Sequence, residues 1–137
     1  MTADSGKFDG SAVTNEQVQR FEKTEAQLEG FFEEISNISK KKPDDAINKF
    51  KLGFVNQMLE SANKLLGEEY QPFPDFVKFD IDSLPSASDV VTMLSQYLRT
   101  MDKFRSDRTH VYGGGYYWNL PKDSPEIRAK RPKKFDS

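Results

Sequence analysis

Apolar residues recur at helical spacing between Ser86 and Arg108, and this stretch constrains the fold more than any other. Polar side chains occupy the opposite positions, so the pattern predicts an amphipathic helix over residues 87–108. Ser86 or Ser88 can cap its first amides, and Asp89 places negative charge at the positive end of the helix dipole. A helix with one apolar stripe must bury that stripe against other elements. The stripe consists of Val90, Leu94, Tyr97, Met101 and Phe104.

A first helix is predicted over residues 15–39. Thr14 and Gln17 have the spacing of a capping box, in which each side chain accepts a bond from the other residue's backbone amide. Apolar residues then follow a heptad-like pattern that is interrupted at Glu25. The pattern indicates a helix with one buried face, formed by Val18, Phe21, Leu28, Phe32 and Ile35.

A second helix is predicted over residues 44–66. Pro43, Asp44 and Asp45 suit its first turn, and Gly67 suits a left-handed stop. The short connection to the first helix predicts that these two helices are antiparallel neighbours. We expect its phenylalanines to be part of the core. The apolar face expected to be buried consists of Ile47, Phe50, Phe54, Met58, Ala62 and Leu65, broadened by Val55, Leu59 and Leu66.

A connector without helical period follows at residues 68–85. Prolines at positions 72, 74 and 85 exclude a continuous helix. Phe73, Phe76 and Phe79 alternate with aspartates, and two interpretations remain open. The phenylalanines either pin the connector across one end of the helices or form, with the aspartates, an aromatic and acidic docking ridge.

Two aromatic runs flank three glycines in the stretch THVYGGGYYWNLP. This composition predicts a β-hairpin with a three-residue loop at Gly113, Gly114 and Gly115, or else an extended arm. The last stretch, KDSPEIRAKRPKKFDS, has two prolines and no apolar period, so we expect it to be irregular.

The predicted fold class is all-α. We expect a three-helix antiparallel bundle with a long aromatic connector between helices 2 and 3 and a C-terminal β-hairpin or extended arm. The predicted organisation is a flexible N-terminal arm at residues 1–13, a helical bundle domain at 14–108 and an aromatic, basic C-terminal arm at 109–137. Three wide stripes can leave apolar surface for a second copy, so a homodimer is possible.

Composition limits the compartment and the chemistry. The chain has no cysteine, which excludes disulfides, thiolate metal sites and cysteine nucleophiles. Its first residues lack the basic and apolar regions of a secretory signal, and no apolar run approaches the roughly 20 residues that span a bilayer. We therefore expect a cytoplasmic protein that does not bind membranes.

The known signatures of catalytic and metal sites are missing. His110 is the single histidine and lies outside the predicted helices, so no di-iron pattern exists. Asp80 and Asp82 begin like a calcium loop, but Pro85 stands where that loop needs glycine. No Gly-Lys-Ser/Thr follows the glycines, which excludes a P-loop. We predict no enzyme activity, no cofactor and no metal.

Aromatic and basic residues dominate the end of the chain. Residues 1–107 carry 13 basic and 19 acidic side chains, whereas residues 108–137 carry 7 basic and 3 acidic ones. Aromatic residues with arginine are typical of protein-interface hot spots. The hypothesis is a non-enzymatic interaction or assembly module that docks on a larger protein, and the alternative is a helical subunit of a nucleoprotein assembly whose basic tail contacts nucleic acid. The predicted binding residues are Tyr112, Tyr116, Tyr117, Trp118, Arg128, Lys130, Arg131, Lys133 and Lys134, with Phe73 and Phe76 of the connector.

Overall fold

The computed structural model of the chain describes residues 12–132. This part of the chain is mostly helical, with three α-helices and a small antiparallel sheet of three strands. The prediction of a helical protein with a C-terminal hairpin is confirmed at that level, although the sheet makes the chain mostly helical rather than all-α. The elements are α1 (Asn15–Lys41), α2 (Lys49–Tyr70), a 3₁₀ turn (Ile81–Ser83), α3 (Ala87–Asp107), β1 (Thr109–Tyr112), β2 (Gly115–Trp118) and β3 (Arg128–Ala129).

The ends of α1 and α3 follow from their capping residues. The Thr14 side chain accepts a bond from the Gln17 amide, and the Gln17 side chain accepts one from the Thr14 amide. Ser86 caps α3 by accepting from the amide of Asp89. All five residues of the apolar stripe predicted for α3 are buried. Both helices therefore begin where the sequence predicts.

The second helix begins later than predicted. Asn48 is its N-cap and accepts a bond from the Lys51 amide, so the helix does not begin near residue 44. The preceding segment instead binds the start of α3, where the carbonyl of Asp45 accepts a bond from the Ala87 amide at 2.7 Å. Gly67 has a φ of 69° and breaks the helix as predicted, and one further turn reaches Tyr70.

The buried face of α2 also differs from the prediction. Leu52, Val55 and Leu59 are fully buried, whereas Phe50 is 79% exposed and Phe54 is 39% exposed. The prediction was wrong for the two phenylalanines, whereas Ile47, Ala62 and Leu65 of the predicted face are buried as expected. In the structure, the side of α2 that carries Leu52 and Val55 turns toward the other helices, and the Phe50 ring contacts the Phe54 ring edge-on, with centroids 4.9 Å apart.

The helix directions correct the prediction of an antiparallel bundle. Near their starts, α2 and α3 are joined by a bridge between Ala46 and Ser86. Further along, the Tyr97 hydroxyl donates to Asn63 at 2.6 Å, and the Thr100 hydroxyl donates to the carbonyl of Tyr70. These two helices consequently run parallel. The ion pair between Lys51 and Glu34 joins the start of α2 to the second half of α1, and the stacking of Phe21 on Phe104 joins the first half of α1 to the end of α3. Helix α1 therefore runs antiparallel to both.

The connector makes the parallel arrangement possible by returning along the side of α2. Two asparagines of α2 hold it: Asn56 exchanges two hydrogen bonds of 2.9 Å with the backbone of Phe79, and Asn63 donates to the carbonyl of Val77 at 2.9 Å. A helix of 22 residues is about 33 Å long, and an extended connector of this size covers that distance. The predicted crossing at one end of the helices was therefore wrong.

The sheet has the order β1-β2-β3, and both neighbouring pairs are antiparallel. The stretch predicted to be irregular supplies β3, whose Arg128 lies opposite Tyr117 and whose Ala129 lies opposite Tyr116. The loop between β1 and β2 has two residues rather than three, because Gly115 pairs with Tyr112. Gly113 and Gly114 have φ values of 60° and 83°, as a type I′ hairpin turn requires.

The sheet and the helices share one hydrophobic core. Trp118 is only 2% exposed and packs edge-on against Phe21 of α1, with ring centroids 5.2 Å apart. Val13 is also buried, and its amide donates to the carbonyl of Asn119 at 2.7 Å. Residues 1–11 of the predicted N-terminal arm lie outside the described residues, and the division into arm, bundle and C-terminal arm stays a prediction. The packing nevertheless joins Val13 and Trp118 to the helical core.

A buried ion-pair cluster joins α1 to α3. Arg105 donates to both carboxylate oxygens of Glu25, at 2.6 and 2.7 Å, and to Asp102 at 2.6 Å. All three side chains are at most 5% exposed. Although desolvation acts to lower the pKa of Arg105, the hydrogen bonds and charges of Glu25 and Asp102 raise it above its ordinary value. The cluster explains why Glu25 interrupts the apolar pattern of α1.

Replacing the cation of this cluster tests its contribution to stability. We expect Arg105→Met to lower the free energy of unfolding by about 3–5 kcal/mol, because two buried carboxylates lose their cation. Urea unfolding followed by circular dichroism measures the change. The matched control is Arg20→Met on the exposed side of α1, for which we expect a change within about 0.5 kcal/mol. Equal effects of the two substitutions would contradict the assigned role.

Removing the indole tests whether the sheet stabilises the helices. We expect Trp118→Ala to lower the free energy of unfolding by about 3–5 kcal/mol, because it leaves a cavity against Phe21. The helical signal at 222 nm should then be lost at lower urea concentration. Tyr112→Ala is the control on the same sheet, since Tyr112 is 68% exposed. A helical transition that Trp118→Ala leaves unmoved would show that the sheet folds apart from the helices.

Alkaline pH should destabilise the protein through Tyr97. Burial raises the pKa of this fully buried hydroxyl, against a smaller lowering by its hydrogen bond with Asn63. Because the folded state holds the proton more tightly, the stabilisation is complete below about pH 10 and is lost as pH rises through the raised pKa. Urea unfolding at a series of pH values should show this loss, and Tyr97→Phe should reduce its slope. An unchanged slope would assign the loss to other groups.

Candidate functional site

The exposed face of the sheet brings aromatic and basic side chains together. Alternate residues of a strand point to opposite faces, and His110 lies opposite Tyr117, which in turn lies opposite Arg128. Tyr112 is two residues from His110 and therefore shares its face. We call this set, His110, Tyr112, Tyr117 and Arg128, the aromatic-cationic face.

Ring contacts order the aromatic-cationic face. The Tyr117 ring lies between two others, with its centroid 6.2 Å from that of His110 and 6.5 Å from that of Tyr112. Tyr112 is 68% exposed and Tyr117 is half-buried. The three rings thus form a row along the β1–β2 pair, and Tyr112 at its end has most of its ring surface in solvent.

Gly115 makes room for the cation of this face. A Cβ atom at this position would lie 3.1 Å from a guanidinium nitrogen of Arg128, so any other residue would push the guanidinium away by a few tenths of an ångström. Arg128 itself is exposed, as are Lys130 and Arg131 after it. Lys130 is 3.9 Å from Glu29 of α1. Within the described residues, the predicted basic cluster thus comprises Arg128 on the aromatic-cationic face and the exposed Lys130 and Arg131 that follow β3 in the chain, and its last members, Lys133 and Lys134, lie outside them.

The opposite face of the sheet belongs to the core. Trp118 was predicted to bind a partner, but its burial against Phe21 makes it part of the hydrophobic core and corrects that prediction. Tyr116 points to the same side and packs in part against the core. The alternation of the strand divides the predicted aromatic cluster, so that Tyr112 and Tyr117 face solvent while Tyr116 and Trp118 face the helices.

The two predicted binding residues of the connector do not join the sheet residues. Phe76 is half-buried, and its ring centroid lies 5.0 Å from that of Phe79 and 6.2 Å from that of Tyr97. Phe73 is 44% exposed. Phe76 thus anchors the connector, and Phe73 is the member of this pair with substantial ring surface in solvent.

A polar cluster holds the end of α3 where β1 begins. The Tyr70 hydroxyl donates to Asp107 at 2.6 Å and accepts from Arg108 at 3.1 Å. Burial is the largest single effect on the pKa of Tyr70 and on that of Asp107, and it raises the pKa of Tyr70. For Asp107 the bonds from Tyr70 and Lys103 and the charges of Lys103 and Arg108 outweigh burial, so its pKa lies below its ordinary value. The cluster fixes the direction in which the chain enters the sheet.

A pocket of about 350 Å³ adjoins one end of the aromatic-cationic face. His110 lines it and is bonded through Nδ1 to the side chain of Asn119 at 2.6 Å. Lys122 and Glu126 contribute the charged groups of its rim. Sequence reasoning did not include His110 among the binding residues, although its position two residues before Tyr112 in a strand predicts that both lie on one face.

Neither a metal-binding cluster nor a membrane-spanning helix occurs in residues 12–132. No group of three or more histidine, cysteine or acidic side chains in these residues is arranged to hold a metal ion. None of the helices described there combines the length and the apolar character that crossing a bilayer requires.

Comparison of the chain with protein-family models, with curated proteins and with solved structures finds no match.

Proposed function

We propose that this protein is a non-enzymatic interaction or assembly module and that its aromatic-cationic face docks on an acidic segment of a larger partner protein. One observation supports the proposal most: Tyr112, Tyr117 and Arg128 share an exposed face around the space at Gly115. Tyrosine and arginine are enriched among the residues that dominate binding energy at protein interfaces.

The chemistry of the face favours a partner with carboxylates and apolar or aromatic side chains. The guanidinium of Arg128 can pair with a carboxylate through two parallel hydrogen bonds. Lys130 and Arg131, which are exposed after β3, add positive charge close to Arg128 in the chain. Tyrosine rings give contact area at a small cost in side-chain entropy, since only two torsions become fixed. An extended acidic segment that also carries apolar or aromatic side chains can pair with Arg128 and pack on the tyrosine rings at the same time.

The role proposed for the face is binding without a chemical step. His110 Nδ1 is bonded to the Asn119 side chain, and its ring lies beside the Tyr117 ring, an arrangement that supports contact with a ligand by side-chain packing. The pocket next to it adds space for one side chain of the bound segment. Phe73 of the connector offers a second, smaller contact for the same partner.

Single-stranded nucleic acid is the competing ligand for this face. Exposed tyrosines can stack bases and the basic residues can neutralise phosphates. The remainder of the chain is acidic, which disfavours a long phosphate backbone nearby. We therefore place a protein partner first and keep the nucleoprotein role as the alternative.

Peptide selection from a random display library tests the proposal directly. We expect wild-type protein to enrich acidic peptides that contain aromatic residues. Tyr112→Ala and Arg128→Ala should each weaken a selected peptide by about fivefold to thirtyfold, which corresponds to about 1–2 kcal/mol per hot-spot residue. Isothermal titration calorimetry with the synthetic peptide measures these changes.

Arg20→Ala on α1 is the matched control for loss of one positive charge and should leave the affinity unchanged. Truncation is a poorer test, because removing the sheet also removes Trp118 from the core. Equal affinity of the selected peptide for wild type and for both face variants would refute the proposal. Tighter binding of a single-stranded oligonucleotide, weakening steeply with salt and lost in Arg128→Ala, would favour the nucleoprotein role.

A further inference from the structure

The outer edge of β1 has backbone groups without a partner in the described residues. The Asn119 amide donates to the carbonyl of Arg108 at 2.8 Å. In an antiparallel pair, hydrogen-bonded and non-bonded positions alternate along each strand. Because Arg108 is bonded to the residue opposite it, His110 and Tyr112 also bond toward β2. Thr109 and Val111 direct their amides and carbonyls away from β2. Within residues 12–132, the amide and carbonyl of Val111 make no backbone hydrogen bond. This edge can accept another strand.

Apart from the short length of β1, which has four residues, this edge lacks the features that usually prevent strand pairing. Proteins protect exposed edges with proline, with charged side chains, with bulges or by covering them. Residues 109–114 include no proline and no charged residue. Val111 is 62% exposed and Tyr112 is 68% exposed, so apolar surface accompanies the unpaired backbone.

From these observations we infer that β1 pairs with β1 of a second copy of this chain. The strands run antiparallel, and a two-fold axis passes beside Val111. Each Val111 donates its amide to the carbonyl of the other and accepts a bond in return. Val111 centres the pair because it is the more exposed of the two outward-bonding residues, whereas Thr109 is half-buried.

Charge favours a second copy over a charged partner strand at this edge. In a two-fold pair each residue meets the same segment again, so a charged strand would oppose itself. β1 has no charge and avoids this repulsion, whereas β3, at the other edge of the sheet, carries Arg128 and is followed by Lys130 and Arg131. The uncharged edge therefore suits self-pairing, and the basic edge suits the acidic segment of the proposed function.

The helices leave space for this arrangement. Val111 points to the same side of the sheet as Tyr116, which packs against the core. Its exposure of 62% shows that the helices do not cover this end of β1. Both helical bodies then lie on one side of a continuous six-stranded sheet, and both aromatic-cationic faces lie on the other.

The second copy contributes residues to the binding surface. In the register centred on Val111, His110 lies opposite the second copy's Tyr112, and the reverse contact is made across the axis. Two rows of aromatic rings thus become one, with an arginine at each end. The role of this joined surface rests on the proposed function and makes it more specific, because two copies of the chain then bind the acidic partner segment. The strand pairing itself does not depend on that function.

Charge substitutions at the two-fold axis test the pairing. Sedimentation velocity of the full chain at increasing concentration should show a monomer–dimer equilibrium. Val111→Lys and Val111→Glu should each weaken the dimer by about fivefold or more, because like charges then face each other across the axis. An equimolar mixture of the two variants should restore the dimer, since lysine then opposes glutamate.

The control is Phe50→Ser, which removes the most exposed phenylalanine of α2 and should leave the dimer unchanged. A monomeric wild type, or a dimer lost in Phe50→Ser and kept in both Val111 variants, would overturn the inference. A dimer that both Val111 variants lose but that the mixture does not restore would overturn the register centred on Val111. The peptide affinity of the monomeric Val111→Lys variant separates the two proposals. If the loss of the second copy weakens peptide binding but Arg128→Ala weakens it further, the aromatic-cationic face is supported whether or not the chain dimerises.

Discussion

The buried ion-pair cluster of Arg105 with Glu25 and Asp102 is the constraint on which the rest of the structure depends. A charge removed from water is strongly unfavourable unless an opposite charge and hydrogen bonds replace its hydration. The two helices can therefore pack only where the guanidinium of α3 meets the carboxylate of α1. This requirement fixes the rotation of α1 and α3 about their axes and the position of one helix along the other. Apolar packing alone specifies both less sharply.

The cluster also determines where the sheet lies. The Phe21 ring packs against the Arg105 guanidinium at 5.6 Å, against Phe104 at 5.5 Å and against Trp118 at 5.2 Å. One aromatic side chain of α1 thus contacts the ion pair, α3 and the sheet. Since β1 begins directly after α3, the burial of Trp118 leaves the other side of the hairpin to solvent. The aromatic-cationic face is exposed because the opposite face is anchored at Phe21.

Local rules were sufficient for features that depend on neighbouring residues. The capping box at Thr14, the cap at Ser86 and the break at Gly67 follow from hydrogen bonding and backbone preference within a few positions. The hairpin followed from its glycines in the same way, although its loop was predicted one residue too long. For the candidate site, the composition of residues 109–131 indicated an aromatic and basic surface, but composition cannot sort side chains between two faces. Strand alternation would have placed His110 beside Tyr112.

The sequence by itself determined the three amphipathic helices, most of their ends, the turn of the hairpin and the supply of aromatic and basic residues near the end of the chain. Only the tertiary structure decided that α2 and α3 run parallel, that Phe50 lies in solvent and that Trp118 lies in the core. The physical reason is that these features depend on contacts between residues far apart in the chain. Asn56 and Asn63 hold the returning connector, and the pairing of Glu25 with Arg105 selects the packing that buries Trp118.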